Sequence, residues 1–96
     1  MVNQRQLQKL CSEIVRLLRE ERERQGLAML TVAERAGLSQ QMVSYVEREM
    51  RRPTLDTVLR IALALEVDLG DVIKQAATKS TKTKGGSRQT SADPNS

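Results

Sequence analysis

The sequence predicts an all-α fold, five short helices joined by brief loops around one small core. Three observations predict it. Apolar residues recur three or four positions apart in one segment after another. Gly, Ser, Thr and Pro fall between those segments, where they stop one helix and start the next. The composition has no Trp, Phe or His and a single Tyr, so Leu, Val, Ile, Met and Ala must fill the interior. That suits closely packed helices better than sheets, which draw on aromatic and β-branched residues.

The elements follow in order. A first helix is expected over residues 3–25, with Leu7, Leu10, Cys11, Ile14, Val15, Leu17 and Leu18 on one stripe and Gly26 as its stop. A second covers 29–36, with Val32, Ala33 and Ala36 apolar, and is interrupted by Gly37-Leu38-Ser39. Ser39 caps a third helix over 40–48, whose inward residues are Val43 and Val46. The connection Glu49-Met50-Arg51-Arg52-Pro53 is polar and basic. Thr54 then caps a fourth helix, with Asp56 in the first turn where the helix dipole favours a negative charge. Its expected buried stripe is Leu55, Val58, Leu59, Ala62 and Leu65. Val67-Asp68-Leu69-Gly70 breaks it, and 71–77 supplies a fifth helix with Val72 and Ile73 apolar.

Residues 78–96 contain no Leu, Ile, Val or aromatic side chain, so they cannot offset the entropy of ordering and are read as a disordered basic tail. The chain then divides into an extension of the first helix over 1–16, a domain over 17–77 and the tail over 78–96. Of the net charge of +4, most belongs to the tail, where Lys79, Lys82, Lys84 and Arg88 face only Asp93. Residues 1–77 are nearly neutral. Net charge therefore does not by itself point to nucleic acid; the placement of charges must.

Several function classes are excluded. One Cys and no His cannot supply a tetrahedral zinc site, so no metal and no cofactor are expected. There is no His base, no paired-carboxylate pattern and no Gly-rich phosphate loop, so no enzyme is expected either. No apolar run approaches the ~20 residues of a membrane span, and no secretory signal opens the chain; no membrane partner and a cytoplasmic location are expected. Cys11, among apolar residues, reads as a buried spectator thiol.

The most informative stretch is 31–49, TVAERAGLSQQMVSYVERE. Two short helices meet at Gly37, which tolerates the positive φ of a tight turn. Ala33 is small where one helix crosses another, and Leu38, Val43 and Val46 plug the angle between them. The surrounding pieces are Leu18-Arg19-x-x-Arg22 with Gly26-Leu27, and Val32-Ala33-x-x-Ala36-Gly37-Leu38-Ser39. Then come Val43-Ser44-x-Val46-Glu47-Arg48, Arg51-Arg52-Pro53-Thr54-Leu55, and Ala62-x-x-Leu65-x-Val67. In this order and spacing the chain resembles the Cro and phage-repressor (XRE-type) helix-turn-helix family over roughly residues 18–73.

The resemblance implies a five-helix, lambda-repressor-like DNA-binding domain with an extended first helix. It implies a recognition helix from Ser39 or Gln40 to Arg48, lying in the major groove of double-stranded DNA. Base contacts are then expected from Gln40, Gln41, Ser44 and Tyr45, because Val43, Val46 and Glu47 turn towards the fold. A Gln side chain matches the adenine edge, and Tyr offers a hydroxyl and an apolar face. Phosphate contacts are expected from Arg48, Arg51 and Arg52, with Gln40 at the helix start. Arg22 and Glu47 occupy positions where the family often forms an internal ion pair. Ala28 and Met29 stand where the family has a polar cap and a glutamine that grip phosphate, and Glu49 stands where a glycine often follows the recognition helix.

The expected assembly is a homodimer that reads a palindromic operator. Two surfaces compete for its interface: the amphipathic stretch ahead of the family core (Val2, Leu7, Leu10, Cys11, Ile14), and residues 65–73. The leading expectation is a DNA-binding transcriptional regulator, a repressor more readily than an activator. The alternative is an antitoxin-like or other protein-interaction module, with a toxin or regulator as partner and weak or lost DNA binding.

Overall fold

Asn3 opens the first helix. Its side-chain oxygen accepts the backbone N–H groups of Arg5 and Gln6 at 2.9 and 3.2 Å, two of the donors that a helix start leaves without partners. The structure is a computed structural model and describes residues 2–80. In it α1 spans Gln4–Arg24, α2 Met29–Ala36, α3 Gln40–Glu47, α4 Leu55–Leu65 and α5 Leu69–Ser80. There is no strand among the described residues.

The first four helices end alike. After each, one residue takes the left-handed conformation: Gly26 and Gly37 at φ +71°, Glu49 at 57° and Glu66 at 60°. The next backbone N–H then reaches back to a carbonyl of the last turn. Leu27 bonds Arg22 at 3.1 Å, Leu38 bonds Ala33 at 2.9 Å, Met50 bonds Tyr45 at 2.9 Å and Val67 bonds Ala62 at 3.0 Å. Glycine makes two of these turns without penalty, whereas a Cβ in this conformation costs about 1–2 kcal/mol. Glu66 is exposed. Glu66→Gly should therefore raise the unfolding free energy by about 0.5–1 kcal/mol, net of glycine's extra chain entropy. A urea midpoint that falls in this variant would contradict the strain.

The end of the fold differs from the expectation. Gly70 does not break a helix; it lies in the first turn of α5, because the Asp68 carboxylate accepts its N–H at 2.7 Å and so starts the helix two residues early. The stop before it comes from Glu66. α5 also runs through Ser80, so residues 78–80, which composition placed in a disordered tail, are helical. Residues 81–96 of that expected tail lie outside the described residues.

The core is built from Val15, Leu18, Val32, Ala36, Val46, Ile61, Ala62, Leu65 and Val72, with Val43 and Ala76 wholly enclosed. α2 lies against α3 and α4, and α5 lies along α1. The buried face of α4 is rotated from the expected stripe. Thr57, Ile61, Ala62, Ala64 and Leu65 are buried, whereas Leu55 is 68 % exposed and Leu59 also faces outwards. α4 is apolar around most of its circumference, so spacing alone could not phase it. Leu55, Leu59 and Leu63 instead form an exposed row, four residues apart.

The amino-terminal half of α1 partly covers its own domain. Leu10, Cys11 and Ile14 are half-buried, Ile14 packs on the core, and Val2 and Leu7 stay exposed. Cys11 is thus not the fully buried thiol expected; it lines a groove with Ser12, Glu49 and Pro53. None of the described helices is long and apolar enough to cross a membrane.

Candidate nucleic-acid interface

The corner between α2 and α3 carries the expected reading helix. Gly37 ends α2, and the Ser39 hydroxyl accepts the Met42 N–H at 3.1 Å to start α3. Val43 and Val46 bury the inner face of α3. A tie from α4, which spacing gave no reason to expect, holds the corner from behind. Arg60 donates through Nη1 to the Ala36 carbonyl at 3.1 Å, and its Nε is held by Asp56 at 2.8 Å.

On the outer side of α3, Gln40 and Gln41 are exposed, while Ser44 and Tyr45 are half-buried. Gln41 and Tyr45 are one helical turn apart, and the Gln41 Nε2 donates to the Tyr45 hydroxyl at 2.6 Å. The Arg51 guanidinium carbon lies 5.2 Å from the centre of the Tyr45 ring, within the range of a cation–π contact. The connection after α3 therefore folds back over the helix, and Arg51, Tyr45 and Gln41 form one continuous polar surface. Each side chain restrains the next, which lowers the entropy a ligand must remove on binding. Arg48, just after α3, and Arg52, next to Pro53 in the chain, are both exposed. The structure thus brings Gln41, Tyr45 and Arg51 into direct contact, with Gln40, Ser44, Arg48 and Arg52 on the same helix and the connection that follows it.

Arg22 and Glu47 meet on the inner side of the end of α3. Nε of Arg22 donates to one Glu47 oxygen at 2.6 Å and Nη2 to the other at 2.9 Å, a two-pronged fork. The remaining terminal nitrogen, Nη1, donates to the Leu27 carbonyl at 2.8 Å. The side chains are only 13 % and 9 % exposed. The hydrogen bonds to Glu47 hold the guanidinium proton more tightly than usual, against the loss of water around it. One arginine thus joins α1, the turn after it and the end of α3.

The positions that depart from the family pattern have structural consequences. Ala28 starts α2 with no side-chain cap, so that terminus lacks a side chain to add to its backbone donors. Glu49 adopts the left-handed conformation that glycine favours, and its carboxylate turns to α1, where the Ser12 hydroxyl donates to it at 2.6 Å. No local pattern links residues 37 positions apart.

Charge is polarised along α1. One groove, between its carboxy-terminal half and the start of α5, is lined by Glu20, Glu21, Asp68 and Asp71 with Arg24. A second groove, towards its amino terminus, is bordered by Arg51 and Arg52 with Glu49, whose carboxylate is engaged by Ser12. A nearly neutral folded region therefore carries a basic end that includes the outer end of α3.

Comparison with known proteins places this geometry. A family model described as helix-turn-helix matches residues 18–72, more than half of the chain. Two uncharacterised HTH-type transcriptional regulators, from two strains of Mycobacterium tuberculosis, are each 42 % identical to it over 50 residues. The match covers 52 % of this chain and 36 % of each relative, so the chain aligns with only about a third of their length. No solved structure gives a significant match. With the corner, the Ser39-capped α3 and the Arg22–Glu47 fork all inside the matched residues, the chain belongs to the XRE-type helix-turn-helix family of DNA-binding domains.

Proposed function

We propose that this protein is a sequence-specific regulator of transcription that binds double-stranded DNA as a homodimer on a palindromic operator and represses by occupying it. The observation that carries the reading is the outer surface of α3. Gln40 and Gln41 are exposed on a helix braced by the Arg22–Glu47 fork, and Arg51 is stacked on Tyr45 at its far end. In this reading Gln40, Gln41, Ser44 and Tyr45 meet base edges in the major groove, and Arg48, Arg51 and Arg52 meet phosphates. Two such helices related by a two-fold axis would sit about 34 Å apart, one turn of the duplex. The exposed row Leu55, Leu59 and Leu63 supplies apolar surface for pairing two copies to bury.

Selection of bound fragments from random duplexes tests this. A motif with two-fold symmetry is expected. Gln41→Ala and Tyr45→Ala should change preference at a few base pairs, by about 1–3 kcal/mol of discrimination. Arg52→Ala should weaken all sites alike and make binding less steeply salt-dependent, by about one unit in the log–log slope.

The uncapped start of α2 at Ala28 favours a second reading, a module whose main contact is another protein, such as a toxin. Absence of DNA binding at low salt, together with a co-purifying protein partner, would select it over the first.

A further inference from the structure

The first fourteen residues of α1, 4–17, lie outside the part of the chain that the family model matches. Within them Arg5, Gln8, Lys9 and Ser12 fall at helical spacing on one face and line one shallow concavity together with Glu13. Gln8 and Ser12 also line the neighbouring groove, opposite Arg51, Arg52 and Pro53. The two concavities therefore share an edge. Arg5 and Lys9 lie on one side of it, and the two arginines that follow the reading helix lie on the other.

The ion-pair pattern distinguishes these cations from others. Arg16, Arg22, Arg24 and Arg60 are each held by a carboxylate. Arg5, Lys9, Arg51 and Arg52 make no ion pair among the described residues. Arg19, Arg35, Arg48 and Lys74 make none either, but they line neither concavity. The two carboxylates nearby are engaged: Glu13 pairs with Arg16, and Glu49 accepts the Ser12 hydroxyl. The Ser12–Glu49 bond also ties this part of α1 to the connection that carries Arg51 and Arg52, which sets the two basic clusters in a fixed relation.

We infer that the amino-terminal half of α1 is a second DNA-backbone surface, with Arg5 and Lys9 contacting phosphates beyond those reached by Arg51 and Arg52. The inference rests on the DNA-binding reading above and extends its footprint outwards from the groove that α3 enters. Phosphate, rather than a base edge, is the ligand because α1 is not the helix that enters the groove in that reading, and exposed cations beside it meet the backbone oxygens first. The surface adds affinity without adding sequence preference, since counterion release is blind to sequence.

The test uses the full chain and a mixed-sequence duplex, with affinity measured across a range of salt concentrations. Arg5→Gln/Lys9→Gln keeps helix-forming side chains at two exposed positions, and an unchanged urea midpoint checks the fold. The slope of log affinity against log salt should become shallower by about two per subunit, one for each lost phosphate contact. The motif recovered by selection should stay the same, and Lys74→Gln on α5 should leave the slope unchanged. A double variant with the parent slope overturns the inference, as does a Lys74→Gln effect as large per charge. If the unsubstituted chain shows no salt-dependent binding, the DNA reading itself fails and this surface fails with it; a parent that binds with a slope insensitive to Arg5 and Lys9 removes only the surface.

Discussion

Glu47→Ala should lower the unfolding free energy by about 3 kcal/mol, because it leaves the Arg22 guanidinium nearly enclosed with its fork empty. The Leu27 carbonyl still accepts one N–H, and Glu23 lies 3.9 Å away on the exposed side, so part of the charge stays compensated. That holds the expected cost to the lower end of the range for broken buried pairs. Glu47→Gln should cost less, since an amide oxygen of similar reach keeps one acceptor in place. Replacing both partners by apolar residues of similar size, Arg22→Met/Glu47→Leu, should recover most of the loss, because the expense lies in the orphaned charge more than in the missing attraction. Urea unfolding of the parent, Arg22→Met, Glu47→Leu and the double variant closes a double-mutant cycle. Additive losses would mean that the two side chains act independently and that the fork does not brace α3. The same variants separate bracing from stability: a refolded double variant with normal stability but weakened operator preference would show that the fork orients α3 as well as holding it.

How much of this could be read from the sequence depends on how far apart the interacting residues lie. Local chemistry was legible. Ser39 and Thr54 each cap the helix that follows, as their types predict, and α2 begins and ends where spacing put it. Glycine marked two of the left-handed helix stops and could not mark the other two, since Glu49 and Glu66 adopt that conformation against their own preference. Nothing in a glutamate announces it. The face of α4 is legible only in part for a related reason: Val58, Ala62 and Leu65 face inwards as expected, but a helix apolar on most sides carries little phase, and only its neighbours decide that Ile61 goes inside and Leu55 and Leu59 outside. Within the candidate interface, the Gln41–Tyr45 pair lies one helical turn apart and was open to inference. The Arg51–Tyr45 stacking, the Ser12–Glu49 bond and the Arg60 tie depend on how loops and distant helices meet, and periodicity does not encode that.

Gly37→Val should destabilise the protein by about 3 kcal/mol, and comparison with Gly26→Val should show why. Both glycines have φ +71°, so a β-branched side chain pays the same backbone penalty at each, about 2 kcal/mol. Their surroundings differ. A Cβ at Gly26 meets nothing within 4 Å, whereas at Gly37 it comes 3.0 Å from Nη1 of Arg60, the atom that bonds the Ala36 carbonyl. The guanidinium must move, and a hydrogen bond of about 1 kcal/mol that joins α4 to the end of α2 is lost. The difference between the two variants therefore measures the Arg60 tie rather than glycine's conformational freedom. Gly37→Val in an Arg60→Met background should then cost no more than Gly26→Val. The tie also has a functional reading, because the end of α2 sets the direction in which α3 leaves the corner. Loosening it should weaken specific DNA binding more than the loss of folded protein accounts for, and it should leave weak, salt-sensitive binding to mixed-sequence DNA largely intact. Equal losses on both kinds of DNA would mean that the corner contributes stability alone, and that the aim of α3 is set elsewhere, by Arg22 and Glu47.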